Sequence, residues 1–131
     1  MKNYTDLEQS KKLAEILPIG SADMWWAWYS SPLSNGHYGD FPMFCKPVCN
    51  PDESVPCWSL SALISVLPSR LFDSTPKRKE LYLLPDSDKS YCFYRQFAVK
   101  TKGKIYLLTE GECLVDACYK MVLKLHELKM L

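Results

Sequence analysis

Six cysteines and two histidines supply the sulfur and nitrogen ligands with which this 131-residue chain could bind a metal such as zinc. Three thiolates and one imidazole form an accepted tetrahedral zinc set, and the chain offers such a set in His37, Cys45, Cys49 and Cys57. The Cys-x3-Cys spacing is wider than that of a Cys-x2-Cys zinc knuckle, and Cys57 directly precedes a helical pattern where an apolar residue would serve equally well. We therefore predict no metal and no cofactor, with these four residues as the alternative zinc site.

A cysteine nucleophile activated by a histidine is the second chemistry that these residue types allow. His37 could act with Cys45 or Cys49, and Asp40 could orient the imidazole. Any chain with two histidines and six cysteines offers such pairs, so the pairing has little specificity. Glycine-rich phosphate loops, the G-x-S-x-G elbow and the H-E-x-x-H motif do not occur in the sequence. We predict no catalytic residues and a non-enzymatic protein.

The most unusual local composition is the aromatic run Met24-Trp-Trp-Ala-Trp-Tyr29. Strand alternation would place Trp26 and Trp28 on one face, and Trp25 and Tyr29 on the other. We predict that Trp26 and Trp28 are buried. Large aromatic side chains left in water mark binding surfaces, so Trp25, Tyr29 and the nearby Tyr38 form the candidate partner-binding site. The alternative is that all of these rings belong to the core.

Charge is balanced overall and uneven along the chain. Sixteen basic residues against 15 acidic ones give a net charge of +1, which argues against a protein that holds DNA mainly through its phosphates. Residues 69–104 nevertheless hold nine basic and four acidic residues. Lys100, Lys102 and Lys104 crowd one predicted hairpin, where a solvated loop is the simpler interpretation. The alternative function is weak binding of single-stranded nucleic acid along the basic, tyrosine-bearing strands of residues 77–104.

Length and composition indicate one folded domain over residues 1–131. With 47% hydrophobic and 13% aromatic residues, the chain has enough apolar area to exclude disorder. No run approaches the roughly 20 apolar residues of a membrane helix, and the first residues lack the apolar core of a signal peptide. We therefore expect a cytoplasmic protein with no membrane contact and with reduced thiols.

The elements that must position these side chains are predicted from periodicity and from capping residues. Thr5 and Glu8 have capping-box spacing for a helix over residues 5–17, and Ser59 can cap a second helix over residues 59–67. Residues 80–84, 90–99 and 104–109 alternate as a three-stranded meander. An apolar stripe at helical spacing runs from Leu114 to Leu128, with His126 outside it as a solvated residue.

The region between the first two helices is harder to interpret. Residues 18–58 contain six of the nine prolines. Residues 30–36 have turn chemistry, since the pair Asn35-Gly36 tolerates positive φ, and the prolines confine residues 41–48 to an edge strand or a loop. Long loops in compact domains are usually functional or mobile, so the site is expected here. The predicted fold class is α+β: an antiparallel sheet, formed by the three-stranded meander plus an aromatic N-terminal strand, covered by two or three helices.

Three stretches are similar to motifs of a known group of proteins. Pro56-Cys-Trp-Ser-Leu-Ser-Ala-Leu-Ile-Ser-Val-Leu-Pro68 is similar to the pattern P-x-W-S-L-x-x-L-L-x-x-(M/L)-P, and residues 114–125 are similar to P-x-D-A-x-x-E-M-x-x-x-L. Ser21-Ala-Asp-Met24 resembles the T-A-D-M that precedes an aromatic strand. In these motifs the chain resembles small uncharacterised proteins encoded on prophages and mobile elements of gut Bacteroides-type bacteria. Its element order also resembles the phage ABA-sandwich domain.

That resemblance implies a fold and a mobile-element context, and it implies no activity, cofactor or catalytic residue. We therefore expect a small accessory or interaction protein with an unidentified protein partner. Nucleic acid is the less favoured ligand.

Overall fold

The structure is a computed structural model that describes residues 2–31, 34–48, 50–71, 79–98 and 101–131. Its helices are α1 (Leu7–Ala14), α2 (Leu60–Val66) and α3 (Leu114–Glu127), with a short 3-10 turn at Ile19–Ser21. Its strands are β1 (Met24–Trp26), β2 (Trp28–Ser31), β3 (Ser34–Tyr38), β4 (Val55–Cys57), β5 (Arg70–Leu71), β6 (Lys79–Leu84), β7 (Ser90–Ala98) and β8 (Thr101–Gly111). All strand pairings are antiparallel, so the predicted α+β class is confirmed. Among the described residues, no helix has the length and apolar character needed to span a bilayer.

The chain divides into two compact units: an N-terminal unit, Asn3–Ala62, and a C-terminal unit, Leu63–Leu131 with Met1–Lys2. The N-terminal unit holds two two-stranded sheets, β1-β4 and β2-β3, and the C-terminal unit holds a four-stranded sheet of order β5-β6-β7-β8. The aromatic segment therefore pairs within its own unit instead of extending the meander. A single domain over residues 1–131 stays a prediction.

Helix α1 begins one residue later than its predicted capping box. Asp6 and Gln9 form the box: the Gln9 amide donates to the Asp6 carboxylate at 2.8 Å, and the Asp6 amide donates to the Gln9 side-chain oxygen at 3.1 Å. The Thr5–Glu8 prediction is wrong because the Thr5 side chain is fully buried and forms other hydrogen bonds. The helix ends at Ala14, three residues before the predicted end.

A buried polar cluster around Thr5 holds the N-terminal unit together. The Thr5 hydroxyl lies 2.7 Å from the Ser10 hydroxyl and accepts from the Trp58 amide at 3.1 Å. The Trp26 indole N–H donates to Ser10 Oγ at 3.2 Å. The Cys57 thiol donates to the Thr5 carbonyl oxygen at 3.4 Å. Each polar group of this core therefore has a partner, which is what makes its burial tolerable.

The aromatic segment changes its pairing partner at Ala27. Trp26 pairs with Val55 of β4, whereas Trp28 pairs with Tyr38 of β3. The prediction of one continuous strand over residues 24–29 is therefore wrong at Ala27, because the alternation restarts there. Trp26 is buried as predicted, but Trp28 is half-buried, and its ring packs edge-on against Tyr38 at a centroid distance of 4.7 Å.

The turn predicted over residues 30–36 is confirmed in its position, because β2 ends at Ser31, β3 begins at Ser34 and these two residues pair in antiparallel strands. Asn35 and Gly36 themselves lie inside strand β3. The Trp28 indole lies against Gly36 so closely that a Cβ built there would overlap the ring. A glycine is needed at position 36 because any side chain would prevent the Trp28 ring from lying so close to the backbone.

In the C-terminal unit, α3 packs on β7 and β8. The inward residues of β7 are fully buried: Cys92, and Tyr94, whose hydroxyl donates to the Pro68 carbonyl at 2.7 Å. Thr109 of β8 donates to the Ala117 carbonyl of the helix at 2.7 Å. The predicted stripe of α3 is confirmed at five fully buried residues, Ala117, Cys118, Met121, Val122 and Leu125, with Val115 as an unpredicted addition. The prediction is wrong at Leu128, which is 48% exposed because the helix ends before it, at Glu127.

The predicted meander is confirmed, with β5 added at its edge. Strands β6 and β8 are longer than predicted, whereas β7 runs from Ser90 to Ala98 and the predicted last residue, Val99, lies outside the described residues. The predicted cap of α2 is confirmed as well, since Ser59 Oγ accepts from the Ala62 amide at 3.1 Å. Asp23 accepts in turn from the Ser59 amide at 2.9 Å. His126 is exposed, as predicted.

Candidate functional site

A pocket of about 410 Å³ lies at the end of the β2–β3 hairpin. We call it the Tyr29 pocket, and it is lined by Tyr29, His37, Tyr38, Gly39, Asp40 and Phe41. The two rings that face solvent most are Tyr29, 44% exposed, and Phe41, 74% exposed. A concave site with exposed rings and a few polar groups is typical of ligand and partner binding.

Strand pairing places Tyr29 directly opposite His37. Their ring centroids lie 5.9 Å apart with an interplanar angle of 36°. The Tyr29 ring also lies close to Gly39, where a Cβ would be 3.1 Å from Tyr29 Cε2. The Gly39 amide donates to the Ala27 carbonyl at 3.1 Å, which fixes this backbone beside the hairpin. Because Gly39 has no side chain, its backbone can lie beside the Tyr29 ring, and the next residue, Asp40, lines the same pocket as that ring.

Residues 41–48 continue the pocket surface as an irregular segment that pairs with β1 at one point. The Trp25 amide donates to the Met43 carbonyl at 2.7 Å, and the Met43 amide donates back at 2.6 Å. The Tyr29 hydroxyl donates to the Met43 sulfur at 3.6 Å. Several large apolar side chains of the segment are exposed, namely Phe41, Met43, Phe44 and Val48. The prediction of an edge strand or loop over residues 41–48 is confirmed.

Two of the three predicted partner-binding residues are already engaged by the chain itself. Trp25 is half-buried, and the Lys46 ammonium lies 5.3 Å from its ring centroid. Tyr38 is half-buried, with the Lys11 ammonium 5.3 Å from its ring centroid. Its hydroxyl donates to the Glu53 carbonyl at 3.3 Å.

Tyr29 is the exposed member of the predicted trio. Phe41, Met43 and Phe44 were missed by sequence reasoning, although their hydrophobicity inside a proline-rich loop was the available signal.

The residues of the alternative zinc site lie in different surroundings. His37 and Cys45 are exposed, Cys57 is buried in the Thr5 cluster, and Cys49 lies outside the described residues. Within the described ranges, no group of three or more His, Cys, Asp or Glu side chains is arranged to hold a metal ion. Burial raises the pKa of the Cys57 thiol, and hydrogen bonds from Thr5 and Ser10 lower it less, so this sulfur stays protonated.

The basic residues of the nucleic-acid alternative are only partly described. Lys100 and the Lys102 side chain lie outside the described residues, and Lys104 is exposed on β8. Lys104 pairs with Gln96, whereas the neighbouring Arg95 pairs with Ile105. Consecutive strand residues project to opposite faces, so Lys104 lies on the opposite face of the sheet from Arg95.

The sheet face that α3 leaves uncovered is apolar and aromatic. Tyr82 and Phe93 stack there with ring centroids 5.6 Å apart and an interplanar angle of 9°. A groove of about 250 Å³ on this outer face is lined by Leu84, Tyr91, Phe93, Ile105 and Leu108. This outer sheet face is the second surface of the molecule that could bind a ligand.

Comparison of the chain with protein-family models, with curated proteins and with solved structures gives no match. The resemblance to prophage and mobile-element proteins therefore stays a prediction. The function has to be inferred from the geometry of the two surfaces.

Proposed function

We propose that this protein is a small non-enzymatic accessory protein that binds a protein partner through the Tyr29 pocket and the adjoining residues 41–48. The observation that carries the proposal is the concentration of exposed apolar side chains around a concave site, with Phe41 74% exposed and Phe44 79% exposed. Burial of such side chains is the main favourable term in association. Aromatic residues and methionine are also the types enriched at interfaces.

The backbone around the pocket supports this role, because it presents the rings from paired strands. Tyr29 lies on β2 opposite His37, and the segment that carries Phe41 is tied to β1 by the two hydrogen bonds between Trp25 and Met43. A ring held in place before binding loses less conformational entropy when the partner arrives. The pocket is thus suited to contribute the few side chains that dominate interface energies.

Selection of peptides from a random display library tests the proposal. Immobilised wild-type protein is expected to enrich peptides whose binding is weakened at least about tenfold in a Tyr29→Ser/Phe41→Ser variant, since hot-spot truncations cost about 2 kcal/mol or more. The matched control is Leu84→Ser, which removes an exposed apolar side chain from the other surface and should leave binding within about twofold.

Two results would overturn the proposal. One is a selection in which no peptide is enriched over the bare support. The other is a set of enriched peptides that bind the double variant as tightly as they bind wild type, although the variant unfolds at the same urea concentration.

A second candidate function, weak binding of single-stranded nucleic acid, is favoured by the outer sheet face. Bases stack on exposed aromatic rings of β-sheets, and this face carries the Tyr82–Phe93 stack with Tyr91 beside it. Arg95 shares the face with Tyr91 and Phe93 by strand alternation. We rank this function second because Lys104, the described lysine of the predicted basic hairpin, lies on the opposite face.

Fluorescence anisotropy of a labelled oligothymidylate at two salt concentrations tests this second candidate. Binding that weakens with salt, and that weakens about 5- to 100-fold in Phe93→Ala, would support stacking on the sheet. Binding that Phe93→Ala leaves unchanged, or no binding at low salt, would contradict it.

A further inference from the structure

We infer that the Tyr29 pocket selects a cationic side chain, lysine or arginine, of the bound partner. The inference rests on the proposed function, because it names the chemistry that the same pocket recognises. It is carried by three observations: two exposed rings, cations that already lie over neighbouring rings, and a carboxylate at the pocket within an acidic unit.

The first observation concerns the rings. Tyr29 and Phe41 line the same pocket and are 44% and 74% exposed. The face of an aromatic ring carries partial negative charge and attracts an ammonium or guanidinium group within about 6 Å of its centroid. Two such rings beside one concave site form part of a cage for a cation, whereas a purely apolar guest would gain nothing from the ring charge.

The second observation is that this unit already uses the same interaction. The Lys11 ammonium lies over the Tyr38 ring and the Lys46 ammonium lies over the Trp25 ring, each 5.3 Å from the centroid. Tyr38 lines the pocket itself, and Trp25 is tied to the residues that continue it. Two aromatic rings of this unit thus already lie under a lysine ammonium, whereas Tyr29 and Phe41 are exposed.

The third observation is electrostatic. Asp40 lines the pocket between Gly39 and Phe41 and is exposed. Among the described residues, no hydrogen bond or ion pair engages its carboxylate, so it can pair with an incoming cation. The unit around it is acidic, with Asp6, Glu8, Glu15, Asp23, Asp40, Asp52 and Glu53 against Lys11, Lys12 and Lys46. A basic segment of the partner therefore complements both the pocket and its surroundings.

Titration of the ¹⁵N-labelled full chain with N-acetyl-lysinamide, followed by NMR, tests the inference directly. The matched probe is N-acetyl-norleucinamide, which keeps the aliphatic chain and lacks the ammonium group. We expect saturable shifts of the Gly39, Asp40 and Phe41 amides with lysinamide, in the millimolar range, and binding of norleucinamide weaker by about threefold or more.

Two variants and one control measure separately how much the Asp40 carboxylate and the Phe41 ring contribute to lysinamide binding. Asp40→Asn should weaken lysinamide binding by about three- to tenfold, whereas Asp52→Asn, which removes an exposed carboxylate outside the pocket lining, should change it less than twofold. Phe41→Leu keeps an apolar side chain without the ring charge and should weaken lysinamide binding by about threefold while leaving norleucinamide unchanged.

Equal affinity for the two probes, or an Asp40→Asn variant that binds lysinamide like wild type, would overturn the inference. The proposed function and the cation inference are contradicted by different results of the peptide selection. Enriched peptides that depend on Tyr29 and Phe41 but lack lysine and arginine would contradict cation selection while leaving the interaction site intact. A selection without enriched peptides would overturn the interaction site itself.

Discussion

The hydroxyl group of Thr5 forms hydrogen bonds with several buried groups of the N-terminal unit. It lies 2.7 Å from Ser10 Oγ and accepts from the Trp58 amide at 3.1 Å, and the residue is fully buried. Thr5→Val keeps the shape of the side chain and leaves these partners unsatisfied. We expect the free energy of unfolding, measured by urea denaturation, to fall by about 1–3 kcal/mol.

The conservative variant Thr5→Ser is the control for that measurement. It keeps the hydroxyl and removes a methyl group, so it should cost less than Thr5→Val. Equal stability of Thr5→Val and wild type would show that the hydrogen bonds of this cluster contribute nothing.

Buried thiol and phenol groups should make stability depend on alkaline pH. Burial raises the pKa of the Cys57 thiol and of the Tyr94 phenol. In the unfolded chain these groups ionise at their ordinary pKa values, so the unfolded state loses protons first. The stability they contribute is therefore complete below the ordinary thiol pKa of about 8.5 and decreases as pH rises above it.

We expect the urea midpoint to stay level up to about pH 8 and to fall towards pH 10. Cys57→Ser removes one titrating group of nearly the same size, so its midpoint should fall less steeply over the same interval. A slope identical to that of wild type would mean that Cys57 ionises equally in the folded and unfolded states.

Single residues were predictable where local geometry decides their role. Ser59 caps α2 because the first turn of the helix holds the Ala62 amide within hydrogen-bond distance of the Ser59 hydroxyl. The role of Thr5 was not predictable, since its hydrogen bonds with Trp58 cross 53 positions of the chain. Capping-box spacing fits both Thr5–Glu8 and Asp6–Gln9, and only the buried partners of Thr5 decide between them.

At the scale of elements, α3 is the most firmly packed part of the C-terminal unit. Leu125 is fully buried on its inner stripe, whereas Leu128, at its end, is 48% exposed. Leu125→Ala should lower the free energy of unfolding by about 2–5 kcal/mol. Leu128→Ala, the matched control, should change it by about 0.5 kcal/mol or less. Similar losses in both variants would mean that the stripe does not define the core.

The β2–β3 hairpin depends on the absence of a side chain at Gly36. Gly36→Ala would force its methyl group into the Trp28 indole, so we expect a loss of about 1–3 kcal/mol and a change in tryptophan fluorescence. A Cβ at Gly20 would have no atom within 4 Å, and Gly20→Ala is the control that should be tolerated. A tolerated Gly36→Ala would show that the ring does not pack on this strand.

Elements with one consistent periodicity were predictable, and elements that change partner were not. The stripe of α3 and the alternation of β7 follow from residue spacing, because each element keeps the same neighbours along its length. Helix α3 packs on β7 and β8, and β7 pairs with β6 and β8. The run from Met24 to Tyr29 has equally good alternation, yet it pairs first with β4 and then with β3. Alternation shows which residues share a face of a strand. It does not show which other strand pairs with that strand.

At the scale of the whole molecule, sequence reasoning and the structure point to the same part of the N-terminal unit as the candidate site. Three rings of that part, Tyr29, Tyr38 and Phe41, line one pocket. Partner binding by Trp25, Tyr29 and Tyr38 stays a prediction. The contacts of Lys46 with the Trp25 ring and of Lys11 with the Tyr38 ring were not predictable, because sequence distance does not reveal such contacts. Exposure of Phe41 could not be predicted, since a phenylalanine in a loop is as often buried as exposed.

Mapping a selected peptide onto the ¹⁵N-labelled protein by NMR is the most direct test of the central claim, that the Tyr29 pocket is the interaction site. We predict the largest amide shifts at Tyr29 and at residues 37–43, with the outer sheet face around Phe93 unperturbed. Shifts concentrated at residues 82–93 and 105–108, with the Tyr29 pocket unchanged, would contradict the account and assign binding to the outer sheet face instead.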